Sequence, residues 1–204
     1  MENINVITYA THSQGTFNEL INNKYNINIK VLGWGTKWNG YIDKTNSVIN
    51  YLNTLPKNDI VLVVDGFDTI INKPLNIIYK RFKELDSEIV FSIHPNMSYF
   101  SKKIFTTCKN NNIINAGLYM GYNKHIKNLL KVSLNYQDDD DQRNLNQACK
   151  YFNNITIDTN HKLFQNLNEI ERMFNKKTDA CFIGSPGMLT FSRLKRMPQE
   201  YFKY

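Results

Sequence analysis

Apolar and polar positions change period several times along the chain, and each change marks an element. Residues 5–10 read as a first strand, and residues 27–32 alternate apolar and polar side chains as a second. Between them, residues 14–22 suit a short helix. From 44 to 55, Val48, Ile49, Leu52 and Leu55 recur at helical spacing. The unbroken run Ile60-Val61-Leu62-Val63-Val64 is the pattern of a strand buried on both faces. Pro74 suits the first turn of a helix running to Leu85, with Ile77, Ile78, Phe82 and Leu85 as its buried side. Residues 88–93 form another apolar strand, residues 95–109 have no firm period and read as a loop or small edge structure, and residues 113–122 are strand-like but interrupted by Gly117 and Gly121. Helices over 123–134 and 141–152 and short strands over 154–157 and 180–183 complete the pattern. Strand and helix alternate throughout, which predicts an α/β sandwich. There is no internal repeat.

Length and composition narrow this picture. A chain of 204 residues without a Pro-, Gly- or Ser-rich linker predicts one domain, 1–204, with a single sizeable core. The formal net charge of +7 could mark a nucleic-acid or acidic partner. The basic residues are scattered, however, with only short clusters such as Lys102-Lys103, Lys176-Lys177 and Arg193 to Arg196. No helix-turn-helix, zinc-finger or RNP-type pattern accompanies them, so a solvated basic surface is the better account. Cys108, Cys149 and Cys181 are odd in number and widely spaced, which suggests neither a disulfide framework nor a zinc site. With no signal-peptide pattern at Met1 and no apolar run of membrane-spanning length, the expectation is a soluble, reduced, cytoplasmic chain.

The strongest chemical signal is Asp65-Gly66-Phe67-Asp68, placed where the buried strand ends. Open α/β sheets bind ligands outside the carboxyl ends of their strands. Two carboxylates three residues apart across a turn can converge on a hard cation such as Mg²⁺ or Mn²⁺. The bland alternative is that Asp68 caps the next segment and Asp65 is a solvated turn residue. Gly33-Trp34-Gly35-Thr36-Lys37-Trp38-Asn39-Gly40 is a flexible aromatic loop that could close over a ligand. Trp34 is as well placed for the core as for a ligand, whereas Trp38 lies deeper in the polar part of the loop. Asn115 offers an amide suited to hydroxyl groups, or is a buried Asn satisfied by neighbouring backbone. Asp138 to Asp141 exceed what a helix cap requires, although a solvated acidic start to a helix is their usual explanation. His94 and His161 are candidate third ligands for a cation, with a solvent-facing side chain the favoured reading of each. No Walker A, G-x-S-x-G or Cys/His nucleophile pattern occurs.

Taken in order, these segments resemble the glycosyltransferase domain of the procollagen lysyl hydroxylases and its giant-virus relatives. The matching stretches are Val6-Ile7-Thr8-Tyr9-Ala10-Thr11, Val31-Leu32-Gly33-Trp34-Gly35 with Trp38-Asn39-Gly40, and Val63 to Asp68. They continue through Val90-Phe91-Ser92, Asn115-Ala116-Gly117 with Gly121-Tyr122, Asp140-Asp141-Gln142, and Ile157-Asp158 with Phe164 to Leu167. The resemblance implies a GT-A (Rossmann-like) fold with a mixed central sheet flanked by helices, binding a UDP-sugar with Mn²⁺ or Mg²⁺. It further implies transfer of glucose or galactose, from UDP-glucose or UDP-galactose, to hydroxylysine or galactosyl-hydroxylysine of a collagen-like protein. A homodimer is compatible with it. Asp65 and Asp68 then look like the metal ligands, and Phe67 like an aromatic beside the nucleotide. Thr8, Tyr9 and Thr11 look like part of the uridine pocket, and Trp38 and Lys44 like donor contacts from the loop. Asn115, Asp140 and Asp141 look like the sugar- and acceptor-side polar groups.

One departure stands out. The family's third metal ligand is a histidine in a His-Gly-Asn-Gly stretch, and Ile183 of Phe182-Ile183-Gly184-Ser185-Pro186-Gly187 occupies its place. Isoleucine cannot coordinate. Two rival expectations therefore stand beside an active transferase: a sugar-nucleotide-binding protein of the same fold without efficient turnover, and a basic nucleic-acid-binding module.

Overall fold

The computed structural model describes residues 3–168, 170–171 and 177–186. Lys176, Gly187 and the basic cluster Arg193 to Arg196 lie outside the described residues. Among those described, strand and helix alternate through β1 (Ile4–Tyr9), α1 (Phe17–Ile21), β2 (Ile29–Leu32), α2 (Tyr41–Leu52) and β3 (Ile60–Asp65). Next come β4 (Thr69–Ile71), α3 (Leu75–Glu84), β5 (Ile89–Ile93), α4 (Tyr99–Phe105), β6 (Ile114–Tyr122) and α5 (Asn123–Ser133). A short 3₁₀ turn, α6 (Asp141–Cys149), β7 (Ile155–Asp158), β8 (Phe164–Asn166) and β9 (Phe182–Gly184) follow.

Six strands form the central sheet in the order β2-β1-β3-β6-β5-β7. β1 runs parallel to both β2 and β3, and β5 runs parallel to β7. β6 is antiparallel to both of its neighbours, β3 and β5. The sheet is mixed and flanked by helices, as the alternation predicts. β3 accounts for its own apolar run. Val61 and Val63 pack with α2, α5 and α6 on one face, while Ile60, Leu62 and Val64 pack with α1 and α3 on the other. With side chains alternating across the pleat, a strand covered on both faces must be apolar at every position.

Three features differ from the sequence expectations. The three-stranded sheet β4-β9-β8 was not anticipated as a unit, since three-residue strands from distant segments carry almost no period. α4 lies within the stretch read as aperiodic; its start is capped by Ser98, whose hydroxyl accepts the Ser101 N–H at 3.1 Å. Cys108 and Cys149 are paired as a disulfide, with Cα atoms 5.3 Å apart across 41 residues. That corrects the fully reduced expectation. The bond ties the loop after α4 to the end of α6, and spacing alone gives no sign of it. Cys181 is free and buried, and burial pushes its thiol up to about 11. Among the described residues no helix is long and apolar enough to cross a membrane.

The fit between β6 and the segment entering β5 leaves no room for a side chain at Gly121. A Cβ there would lie 2.4 Å from the Glu88 carbonyl oxygen and 3.0 Å from Ile89 Cα. Gly121→Ala is therefore expected to cost about 2 kcal/mol through overpacking, read as a lower urea midpoint with an unchanged m-value.

Candidate active site

β1 and β3 are parallel neighbours whose register sets Tyr9 opposite Asp65. β2 lies on the far side of β1, so the strand order reverses at this point and a crevice opens beyond the strand ends. β6 runs the other way, which brings its first residues, Asn115 to Gly117, to the same end of the sheet. Gly117 is what allows β6 to lie so near Asp65. A Cβ at Gly117 would stand 3.2 Å from Asp65 Cβ and 3.0 Å from Asn115 Oδ1.

Two cavities meet at Asp65. The first, about 350 Å³, is lined by Tyr9, Thr11, Trp38 and Phe67 among others. Its aromatic wall is continuous: Trp38 meets Tyr9 edge to face at 5.7 Å and Tyr41 at 5.2 Å. Trp34 instead stacks on Phe17 at 5.0 Å and does not line the cavity. Thr8 does not join Tyr9 and Thr11 there. Its side chain is buried beneath Gly66, and its hydroxyl has no hydrogen-bond partner among the described residues.

The second cavity, about 170 Å³, is lined by Asp65, Asp68, Asn115, Asp140 and Asp141, together with His94 and Phe105. Lys44 and Tyr41 border both cavities. The structure thus gathers Asp65, Asp68, Lys44, Asn115, Asp140 and Asp141 around one space. Asp65 Oδ1 also accepts the Phe67 N–H at 3.4 Å, and Asp68 Oδ1 accepts the Thr69 hydroxyl at 3.4 Å.

The acidic run separates into distinct jobs. Asp138 pairs with Arg143 at 3.3 Å. Asp139 is exposed. Asp140 caps α6, its Oδ1 accepting from the Gln142 and Arg143 amides at 2.8 and 3.2 Å. Asp141 is buried and bound to Lys44 at 2.9 Å. Burial disfavours the Lys44 ammonium, yet the carboxylates of Asp141 and Asp65 hold it above the ordinary lysine value. Burial raises Asp141, and Lys44 pulls it back toward the ionised form. Lys44 reaches this position because α2 begins at Tyr41, three residues earlier than the apolar period suggests, behind Gly40 at φ +109°.

Ile183, which the family resemblance sets at the histidine's place, is buried in β9 and paired with Ile70. No group of three or more His, Cys, Asp and Glu side chains suited to a metal occurs among the described residues. His161 is engaged in the turn before β8, with Nδ1 3.2 Å from the Phe164 carbonyl oxygen, and lines neither cavity. His94 does face the second cavity, but burial lowers its pKa to about 4 against the opposing pull of Asp140. Its Nδ1 lies 3.3 Å from the Gln142 side-chain nitrogen. Tyr41, His12, Phe105 and Gln142 were not singled out from the sequence. Only Tyr41, one residue beyond the aromatic loop, and Gln142, one beyond Asp141, stand beside a signal that could have found them.

Comparison with known proteins gives a consistent picture. The PLOD GT domain family matches the chain over residues 1–181. The chain is 26% identical over 196 residues to a multifunctional procollagen lysine hydroxylase and glycosyltransferase of Caenorhabditis elegans, a match spanning 81% of this chain and 26% of that protein. It is 26% identical over 204 residues to an uncharacterized protein of Acanthamoeba polyphaga mimivirus, covering 87% of this chain and 44% of the other. A procollagen-lysine,2-oxoglutarate 5-dioxygenase of Drosophila melanogaster is 26% identical over 197 residues, 87% of this chain and 27% of that protein. The chain therefore spans less than half the length of these relatives.

Two outcomes test the site's electrostatics. Lys44→Met leaves Asp141 buried without its partner and is expected to cost about 3 kcal/mol or more. Adding Asp141→Leu should recover most of that loss in urea denaturation, since the unpaired charge goes with it. For His94, the unfolded ring takes up a proton from about its ordinary 6.5 while the folded ring resists to about 4. The unfolded chain then binds more protons, so the contribution of the neutral ring is intact above 6.5 and is lost as pH falls toward 4. His94→Gln should flatten that part of the stability–pH curve.

Proposed function

The chain belongs to the PLOD GT domain family, and from that premise we propose that it transfers glucose or galactose from a UDP-sugar to a hydroxylysine-type acceptor of a collagen-like protein. The observation that carries this reading is the position of Asp65, shared by an aromatic cavity on one side and a cavity of carboxylates and amides on the other. On a GT-A reading of the fold, the first cavity takes the uridine. Tyr9, Trp38 and Phe67 form its aromatic lining, and Thr11 supplies a hydroxyl. The second takes the hexose and the acceptor hydroxyl.

A divalent cation fits the donor set. Asp65 and Asp68 border one space, and Mg²⁺ or Mn²⁺ is commonly held by one or two carboxylates together with substrate phosphates. When bound, such an ion neutralises charge on the departing diphosphate. Asp65 and Asp68 would hold it. Lys44 keeps a fixed ammonium beside Asp65 and adds a second positive charge near the diphosphate. Tyr41, which borders both cavities, would exclude water that could otherwise hydrolyse the transferred sugar. Asp140, with one oxygen spent on capping, has the other to orient the acceptor hydroxyl, and Asn115 braces that wall.

Ile183 supports a second reading, a protein that binds the sugar nucleotide without turning it over. The deciding assay is turnover of UDP-glucose and UDP-galactose with hydroxylysine and galactosyl-hydroxylysine peptides, with and without Mn²⁺. The transferase reading expects metal-stimulated product and a loss of at least about 100-fold in Asp65→Asn, the scale of removing one main electrostatic contact. Thermal stabilisation by UDP without product in any combination selects the second reading.

A further inference from the structure

A chain of hydrogen bonds runs from the backbone of β6 to the ring of His94, and it decides which nitrogen carries the ring's proton. The Gly117 N–H donates to Asn115 Oδ1 at 3.0 Å. A backbone amide can only donate, so the Asn115 carboxamide has one orientation, with Nδ2 turned to Gln142 Oε1 at 3.0 Å. The Ala116 N–H reaches the same oxygen at 3.4 Å. Gln142 therefore offers its NH₂ group to His94 Nδ1 at 3.3 Å. Since that group only donates, Nδ1 accepts, and the neutral ring holds its hydrogen on Nε2. The ring's position is set independently. The His94 N–H donates to the Ile113 carbonyl at 2.8 Å, and the imidazole lies against Phe105 at 5.0 Å.

An Nε2 that carries hydrogen has no lone pair for a cation, which removes His94 as the missing metal ligand. It is instead a neutral donor in a cavity bordered by Asp65, Asp68, Asp140 and Asp141. Ionised carboxylates only accept. A sugar hydroxyl can both accept from Nε2–H and donate to a carboxylate, and Phe105 beside the imidazole offers an apolar face for a sugar ring. Resting on the glycosyltransferase reading, we propose that His94 is a sugar-binding residue, donating Nε2–H to a hydroxyl oxygen of a hexose while a neighbouring carboxylate accepts from the same hydroxyl. The hexose belongs either to the donor or to a galactosylated acceptor.

The test measures binding of UDP, UDP-glucose and UDP-galactose by calorimetry with Mn²⁺, and the KM of a galactosyl-hydroxylysine peptide, in the native chain, His94→Phe, His94→Gln and Gln142→Glu. About tenfold is expected from one lost hydrogen bond. If the hydroxyl is the donor's, His94→Phe weakens UDP-hexose binding by that factor and leaves UDP binding alone. If it is the acceptor's, only the peptide KM rises by that factor. His94→Gln, whose amide reaches the place of Nε2, restores part of the loss. Gln142→Glu still accepts from Asn115 but offers Nδ1 an acceptor in place of a donor, so it should put a hydrogen on Nδ1 in a nitrogen-15 spectrum with His94 in place. Unchanged UDP-hexose binding and KM in His94→Phe would overturn the proposal, as would a His94→Gln no better than His94→Phe. A nitrogen-15 spectrum of the native chain showing the hydrogen on Nδ1 would overturn it too, whatever the activity. Failure of the native chain to bind UDP would instead remove the transferase reading itself, and this proposal with it.

Discussion

The ion pair between Lys44 and Asp141 is the constraint around which the site is arranged. Both side chains are nearly buried, and their nitrogen and oxygen stand 2.9 Å apart. Charges taken out of water in this way seldom gain net stability over an apolar pair of the same volume. What the pair supplies is position. It joins the first turn of α2, whose Tyr41 and Lys44 border both cavities, to the first turn of α6, which borders the second. Asp65, at the tip of the central strand, feels the same ammonium. A mobile surface lysine would move away as a ligand entered. This one is held at the border of both cavities.

The central strand's role and the acids at its tip are readable in the chain because burial on both faces leaves no polar position until Asp65. What could not be read is how neighbouring segments divide their work. Asp138 to Asp141 look like one feature in the sequence, yet they become a partner for Arg143, an exposed residue, a helix cap and half of a buried pair. Periodicity cannot separate them, because a helix start turns each successive residue by roughly 100° toward a different neighbour. The start of α2 was missed for a related reason. Tyr41, Ile42 and Asp43 precede the first apolar repeat, and Gly40, not a capping side chain, sets where the helix begins.

Other features depend on contacts between distant residues. β4 and β9 are separated by more than a hundred residues and pair over only three positions each. The disulfide joins cysteines whose spacing fits no familiar framework. His94 was visible as a polar residue ending a strand, but its orientation depends on Gln142, Asn115 and a backbone amide of β6. Each member of that set has an ordinary buried role in isolation. Their meaning lies in the order of donors and acceptors, which only the folded chain supplies.

Ile183 bears on how a cation would be held. β9 pairs with β4 so that Ile183 sits opposite Ile70 inside the core, and the Ser185 N–H then donates to the Asp68 carbonyl at 3.0 Å. The backbone next to Asp68 is thus fixed by β9, whose Ile183 offers no coordinating atom. On the transferase reading, two carboxylates give an ion few protein contacts, and the remaining positions fall to water and to the diphosphate of the donor. Metal and nucleotide would then bind far better together than apart. Each must raise the other's affinity by the same factor, since the coupling is a property of the complex they share. On this account the metal would not be a resident group but one that arrives with its substrate.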